Sequence, residues 1–230
     1  MTRSILVLLT VLPALYGGTA PLELQKNVIF VKASIGDSAP LDMVLDSGTI
    51  RTTIDETAAR GLQFDLSLKA RSSGQNGDQE ISAIQNQTLH FAGVEVTEAI
   101  MLAYPLDSVS KRVGRHMDGI IGVELLRKFV VTVDYAARRV EVLDPGMFVY
   151  PGAGESVSVT YAGRLPLVAA SITPWGRAPI PVRLQVDSGG SAGSIVFWKE
   201  FVTRHDLLSG PTTCAARRWS PRAQARGTRC

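Results

Sequence analysis

The sequence predicts an all-β protein of two lobes built on one plan, the second of them incomplete. Three observations carry that prediction. Beyond residue 21 the chain is a succession of short β-rich runs separated by turn signals, with only brief helical stretches. One strand–loop–strand unit occurs twice, closing each time on Asp-Ser-Gly. The first copy is followed by enough chain to finish a lobe, whereas the second, at Asp187, lies close to the end of the 230 residues.

The first twenty residues stand apart. Arg3 is followed by an apolar run from Ile5 to Leu15, then by the small residues Gly17-Gly18-Thr19-Ala20. This order matches a secretory signal peptide over residues 1–20, although Pro21 makes a cut after Ala20 awkward. The run is too short to span a bilayer, which needs roughly 20 apolar residues. Export to a periplasm or to the outside is the resulting expectation, with the membrane met only through this signal.

Next come the elements in order. Val28–Ile35 is β-rich and stops at the turn signal Gly36-Asp37; Leu41–Leu45 is a second apolar run ending at Asp46-Ser47-Gly48. Thr53–Leu62 has helical character, with Asp55 or Thr53 as N-cap and Gly61 near its end. Arg71 to Asp78 is a glycine-rich polar cluster suited to a hairpin tip. Further strands are expected at Gln87–Phe91, Val94–Leu102, Val130–Asp134 and Arg139–Leu143.

The repeat is the most informative feature. Val31-Lys32-Ala33-Ser34-Ile35 recurs as Val168-Ala169-Ala170-Ser171-Ile172, and Leu41 through Gly48 recurs as Val182 through Gly189. A lone Asp-Ser-Gly reads as an ordinary turn; two, each after a matching apolar strand, indicate a duplicated lobe. Duplication is a natural source of a carboxylate pair. Two carboxylates close together cannot both ionise cheaply, so one keeps a proton while the other acts as base. The base takes a proton from a water held between them, and the protonated partner polarises a carbonyl. Asp46 and Asp187 are the candidate catalytic residues. Gly48 and Gly189 allow tight turning beside them, and the hydroxyls of Ser47 and Ser188 are expected to orient the carboxylates.

These residues carry a resemblance. Val44-Leu45-Asp46-Ser47-Gly48-Thr49 resembles the active-site motif of aspartic peptidases of the retropepsin-like clan. Met117 to Leu126, with Gly119-Ile120-Ile121-Gly122 at its centre and Phe129 to Tyr135 after it, resembles the segment that passes beside the catalytic loop in that clan. Gly74, Gln75, Asn76 and Gly77 fall where the family has its substrate-binding flap. The resemblance implies a closed β-barrel lobe over 21–150, the first half of a second lobe over 151–209, and an irregular basic tail over 210–230, as in exported bacterial two-lobe members. It implies an endopeptidase acting on peptide or protein substrates, with Thr49 among the residues supporting the pair and with no metal or organic cofactor.

Other readings fit less well. The charge of +3 comes from five arginines after Gly210; the rest of the chain carries −2 and has no basic stripe, which argues against a nucleic-acid partner. Gly189-Gly190-Ser191-Ala192-Gly193 matches a serine-hydrolase elbow, but His205 and Asp206 follow in the wrong order and too close. His90, His116 and His205 are too scattered for a metal site, and Cys214 and Cys230 have no metal spacing. Asp118 and Asp134 read as turn residues. Two alternatives stay open: a truncated relative that binds peptides without cutting them, and a homodimer in which each subunit donates its Asp46.

Overall fold

Strand follows strand in the computed structural model, which describes residues 17–74, 77–174, 176–191 and 195–208. β1 (Gly17–Pro21), β2 (Glu23–Gln25), β3 (Val28–Ile35), β4 (Leu41–Leu45) and β5 (Thr53–Asp55) open the chain. α1 (Glu56–Gly61) precedes a hairpin of β6 (Lys69–Gly74) and β7 (Gly77–Phe91), then β8 (Val94–Tyr104) and α2 (Asp107–Val113). β9 (Gly119–Ile121), α3 (Val123–Lys128), β10 (Val130–Asp134) and β11 (Arg139–Leu143) follow. After a linker come β12 (Val159–Ala162), β13 (Leu165–Ile172), β14 (Ile180–Gln185) and α4 (Lys199–Arg204).

Eight strands form one sheet in the order β2-β3-β4-β9-β5-β8-β7-β6. The far end of β3 also pairs with β7, Ser34 against His90 and Ile35 against Leu89, so six of these strands close into a barrel. The fold is all-β, as the short alternating runs predict. Period-two alternation on β4 serves two cores at once. Met43 and Leu45 pack with Ile29, Ile54, Leu89 and Met101, whereas Val44 packs with Phe30, Leu106, Met117 and Ile120. Each such side chain taken fully out of water contributes roughly 1.5–3 kcal/mol. At the centre β4 and β9 run parallel, Met43 to Leu45 against Gly119 to Ile121, and this ladder aims the Asp46 loop.

Local sequence explains most elements and corrects four expectations. Helical character from Thr53 gives way to strand over the first three residues, because Thr53 to Asp55 pair with both β8 and β9. The helix starts at Glu56, capped by Asp55, whose Oδ1 accepts from Thr57 N–H at 2.9 Å. The same carboxylate's Oδ2 accepts from Leu106 N–H at 2.9 Å and so ties α1 to the end of β8. β7 begins ten residues before Gln87, at Gly77. Its polar first half is drawn into the sheet by continuous pairing with β6 and β8, so that the two strands are paired as far as Gly74 and Gly77. α2 was not foreseen; it ends at Gly114, in the left-handed conformation at φ 79°. Asp118 lies at the bend before β9, as expected, and its Oδ2 accepts from Asp42 N–H at 2.8 Å. Asp134, expected in the turn, is instead the last residue of β10, paired with Arg139, and its Oδ1 accepts from Ala137 N–H in the turn that follows, at 2.8 Å.

The repeat is preserved down to register. β3 and β4 pair Phe30 with Val44 and Ala33 with Leu41; β13 and β14 pair the repeat-equivalent Leu167 with Gln185 and Ala170 with Val182. β12 stands to β13 as β2 stands to β3. Only these three strands are repeated among the described residues. The face that is barrel core in the first lobe is therefore open in the second, leaving Val159, Tyr161 and Val186 exposed. β1 adds an edge to β11, Gly17 against Leu143 through Pro21 against Arg139. The small residues that read as a cleavage region thus form a sheet strand. Residues 1–16, which hold the apolar run, and the tail 209–230 with both cysteines lie outside the described residues.

Candidate active site

Each Asp-Ser-Gly follows a strand of the duplicated unit, and the two turns meet through crossed serine hydrogen bonds. Ser47 Oγ donates to the Val186 carbonyl at 2.8 Å, and Ser188 Oγ donates to the Leu45 carbonyl at 3.0 Å. In return Ser188 N–H donates to Ser47 Oγ at 3.1 Å and Ser47 N–H to Ser188 Oγ at 3.0 Å. Each hydroxyl is donor and acceptor at once, and each belongs to one lobe while serving the other. This corrects the expected role of both serines. They do not hold the carboxylates, because the strand-end carbonyls of the opposite lobe claim their protons.

The Asp46 carboxylate is oriented by other donors. Gly48 N–H reaches its Oδ1 at 2.6 Å, Gly189 N–H reaches the same oxygen from the second lobe at 3.2 Å, and Thr49 Oγ1 donates to Oδ2 at 2.6 Å. Both glycines are required by space. A Cβ on Gly48 would lie 2.9 Å from Asp187 Oδ1 and 3.0 Å from Asp46 Oδ1; one on Gly189 would lie 2.6 Å from Asp46 Oδ2. The two carboxyl groups therefore converge over the paired glycines. Burial pushes the Asp46 carboxyl above the ordinary aspartate value; the Thr49 and Gly48 hydrogen bonds pull it down, and Asp187 pushes it up both as a charge and as a hydrogen-bonding neighbour. The pair is not symmetric. Gly190 occupies the position equivalent to Thr49, so the second lobe has no hydroxyl there.

The loop after Asp46 is fastened to the β9–α3 junction. Asp46 N–H donates to the Ile121 carbonyl at 3.0 Å and Val123 N–H to the Thr49 carbonyl at 2.9 Å. Gly122 N–H donates to Thr52 Oγ1 at 3.2 Å, and Thr52 N–H to Glu124 Oε1 at 2.8 Å. The segment singled out beside the first Asp-Ser-Gly is thus in contact with it.

Residues 31–125 match the family model described as aspartyl protease. That segment is similar to aspartyl proteases. The match takes in Asp46, Gly119-Ile120-Ile121-Gly122 and Glu124, and it stops before the second lobe and Asp187. Among solved structures the chain is similar to a retropepsin-like aspartic protease from Rickettsia conorii, at 16% identity over 54% of this chain and 89% of that one, with a TM-score of 0.41. It is also similar to the retroviral protease-like domain of Ddi1 from Leishmania major, at 16% identity over 55% of this chain and 100% of that one, with a TM-score of 0.35. No curated protein matches the chain.

Within the matched segment, β6 and β7 form the hairpin where the flap was expected. Gly74 pairs with Gly77 across its end, and Gln75 and Asn76 lie outside the described residues. The serine-hydrolase motif is only partly described, since residues 192–194 lie outside; His205 lies tilted against Phe201 at the end of α4, with ring centroids 4.4 Å apart. No group of three or more metal-ligating side chains occurs among the described residues.

Four residues around the Asp46 loop escaped sequence reasoning. Tyr104, at the end of β8, has its phenol pushed up by burial and by the Asp46 charge. Gln185 Nε2 donates to the Gly48 carbonyl at 3.3 Å from the second lobe. Glu124 and Arg164 meet at the seam between the lobes, 3.7 Å apart. Gln185 had a signal, since it stands where the first lobe has Val44, a polar residue in an apolar strand position. Tyr104, Glu124 and Arg164 had none.

Proposed function

We propose that the protein is an aspartic-type endopeptidase in which Asp46 and Asp187 of one chain activate a water for attack on a peptide bond. The observation that carries this reading is the crossed Ser47–Ser188 hydrogen bonding, which brings the two Asp-Ser-Gly turns together inside a single chain. It also favours the intramolecular pair over one formed by two copies of Asp46. In the proposed step the ionised carboxylate accepts a proton from the water as its oxygen bonds to the carbonyl carbon. The protonated partner meanwhile donates to the carbonyl oxygen, so charge is conserved across the pair. The proton then passes to the leaving nitrogen as the C–N bond breaks. The burial that raises Asp46 suits it to hold the shared proton.

Substrate is proposed to be an extended peptide lying under the β6–β7 hairpin, whose edge strand β6 offers backbone hydrogen bonds to an added strand. Export is supported by the apolar run from Ile5 to Leu15. Because β1 is part of the fold, processing is expected to leave Gly17 on the mature protein.

The test is cleavage of an unstructured protein across pH 3 to 8, with intact mass of the exported chain read alongside. Wild type is expected to cut with a bell-shaped profile, and both Asp46→Asn and Asp187→Asn to lose at least about a thousandfold in kcat/KM. Full activity in Asp187→Asn would exclude the intramolecular pair. Activity surviving Asp46→Asn would sink the mechanism. A folded wild type silent at every pH would leave a peptide-binding relative without chemistry, which the exposed second-lobe strands make the second reading.

A further inference from the structure

Glu124 is a buried acid beside the Asp46 loop that the water-activation step does not use. Its side chain is completely covered, and although Oε1 accepts from Thr52 N–H, Oε2 has no hydrogen-bond partner among the described residues. An amide at this position would satisfy Thr52 equally well. A buried carboxyl therefore needs another reason, since burial without compensation costs several kcal/mol. Burial pushes its pKa up; hydrogen bonds from its own N–H and from Thr52 N–H pull it down, the Glu98 charge pushes it up again, and the Arg164 charge pulls it down.

Arg164 belongs to the other lobe. It sits in the β12–β13 turn, at the place that exposed Asn27 occupies in the first-lobe repeat. Its guanidinium reaches three first-lobe acceptors: Nη1 lies 3.4 Å from the Ile50 carbonyl and 3.7 Å from Glu124 Oε1, and Nη2 lies 3.5 Å from Glu98 Oε2. Glu98 is also held by Lys128 at 3.2 Å. Ile50 and Thr52 belong to the chain that leaves the Asp46 turn, and α3 is fastened to that turn by the bonds from Gly122 and Val123. A hold on Ile50 and Glu124 is thus a hold on the Asp46 loop. The neighbouring contact of Arg127 over the Tyr161 ring, at 5.3 Å, runs along the same seam.

We propose that Arg164 is a positioning residue: reaching from the second lobe to Ile50, Glu98 and Glu124, it holds the Asp46 loop in register with the Asp187 loop. The catalytic part of this inference rests on the reading of Asp46 and Asp187 as a working pair; the mechanical part does not. The three described strands of the second lobe contribute no side chain to the buried hydrophobic core, so their alignment depends on a few contacts at the seam. Arg164 supplies the counter-charge that Glu124 meets only when the lobes are docked.

The experiment is amide hydrogen exchange on the full chain, with peptide hydrolysis measured in parallel. Arg164→Met is expected to speed exchange at Ser47 and Ser188, whose N–H groups cross between the lobes, by about tenfold, while the barrel amide of Met43 stays unchanged. Arg164→Lys should restore part of the protection. In an active enzyme kcat falls and KM holds, because the residue touches the loop and not the substrate. If Arg164→Met does not fold, Arg164→Met combined with Glu124→Gln removes the uncompensated carboxylate and is read the same way. Unchanged exchange at Ser47 and Ser188, or faster exchange spread equally to Met43, overturns the proposal. A wild type that cleaves nothing but shows the exchange pattern would defeat the peptidase reading and leave the latch standing.

Discussion

Thr49 distinguishes the two aspartates. Its hydroxyl donates to Asp46 Oδ2 at 2.6 Å, whereas Gly190 offers nothing at the equivalent place. A hydrogen bond to a charged oxygen favours the ionised form and contributes about 1.5–3 kcal/mol. Removing it in Thr49→Ala raises an already elevated carboxyl further. The alkaline limb of kcat/KM, where the pair gives up its shared proton, is then expected to move up by about one pH unit, and the limb reports the pair and not one residue. A pH–rate profile checks this; an unmoved limb would mean that Thr49 only packs. Asp46 itself was legible from its setting, an apolar strand running into Asp-Ser-Gly. The jobs of the serines were not, because a hydroxyl's partner is chosen by whichever acceptor the opposite lobe presents.

At the scale of elements, Asp55 joins three of them. It ends β5, caps α1 through Thr57 and Ala58, and accepts from Leu106 at the start of the segment leading to α2. Losing a cap costs about 0.5–2 kcal/mol, and orphaning the buried Leu106 N–H costs about 1–3 kcal/mol more. Asp55→Ala is therefore expected to lose about 2–4 kcal/mol in urea unfolding. A loss below about 1 kcal/mol would show that water takes over the Leu106 amide. The N-cap was visible in the sequence. The strand before it was not, since β5 is three residues long and exists only through partners on both sides. β7 was half visible for the same reason: its polar residues carry no period of their own and are strand because two neighbours pair with them.

For the whole molecule, the buried acids set how stability varies with pH. Glu124 and Asp46 both lie above their ordinary values, chiefly through burial. A carboxyl raised by folding contributes stability that is fully present below its unfolded pKa and is lost as pH rises through the folded one. Asp42 has the opposite sign. Partial burial pushes it up, but the hydrogen bonds and charges of Lys32 and Arg115 outweigh this and lower it, so its contribution is lost only as pH falls into strong acid. Between pH 5 and pH 8 the raised acids govern. Wild type should lose stability over that interval, and Glu124→Gln should lose less. Urea midpoints at the two pH values test it; parallel curves would mean that Glu124 stays ionised throughout the folded state.

What the sequence determined by itself is what short-range pattern and repetition carry. Alternating apolar runs specify strands, and two matched copies of a strand pair ending in Asp-Ser-Gly specify a duplicated unit whose register the structure repeats residue for residue. Only the tertiary structure decided which oxygen each serine serves, which strands close the barrel, and that Arg164 faces Glu124 across the lobes. The reason is physical. Those outcomes are pairings between groups far apart in the chain, selected by which buried donors and acceptors are left unmet once the lobes come together.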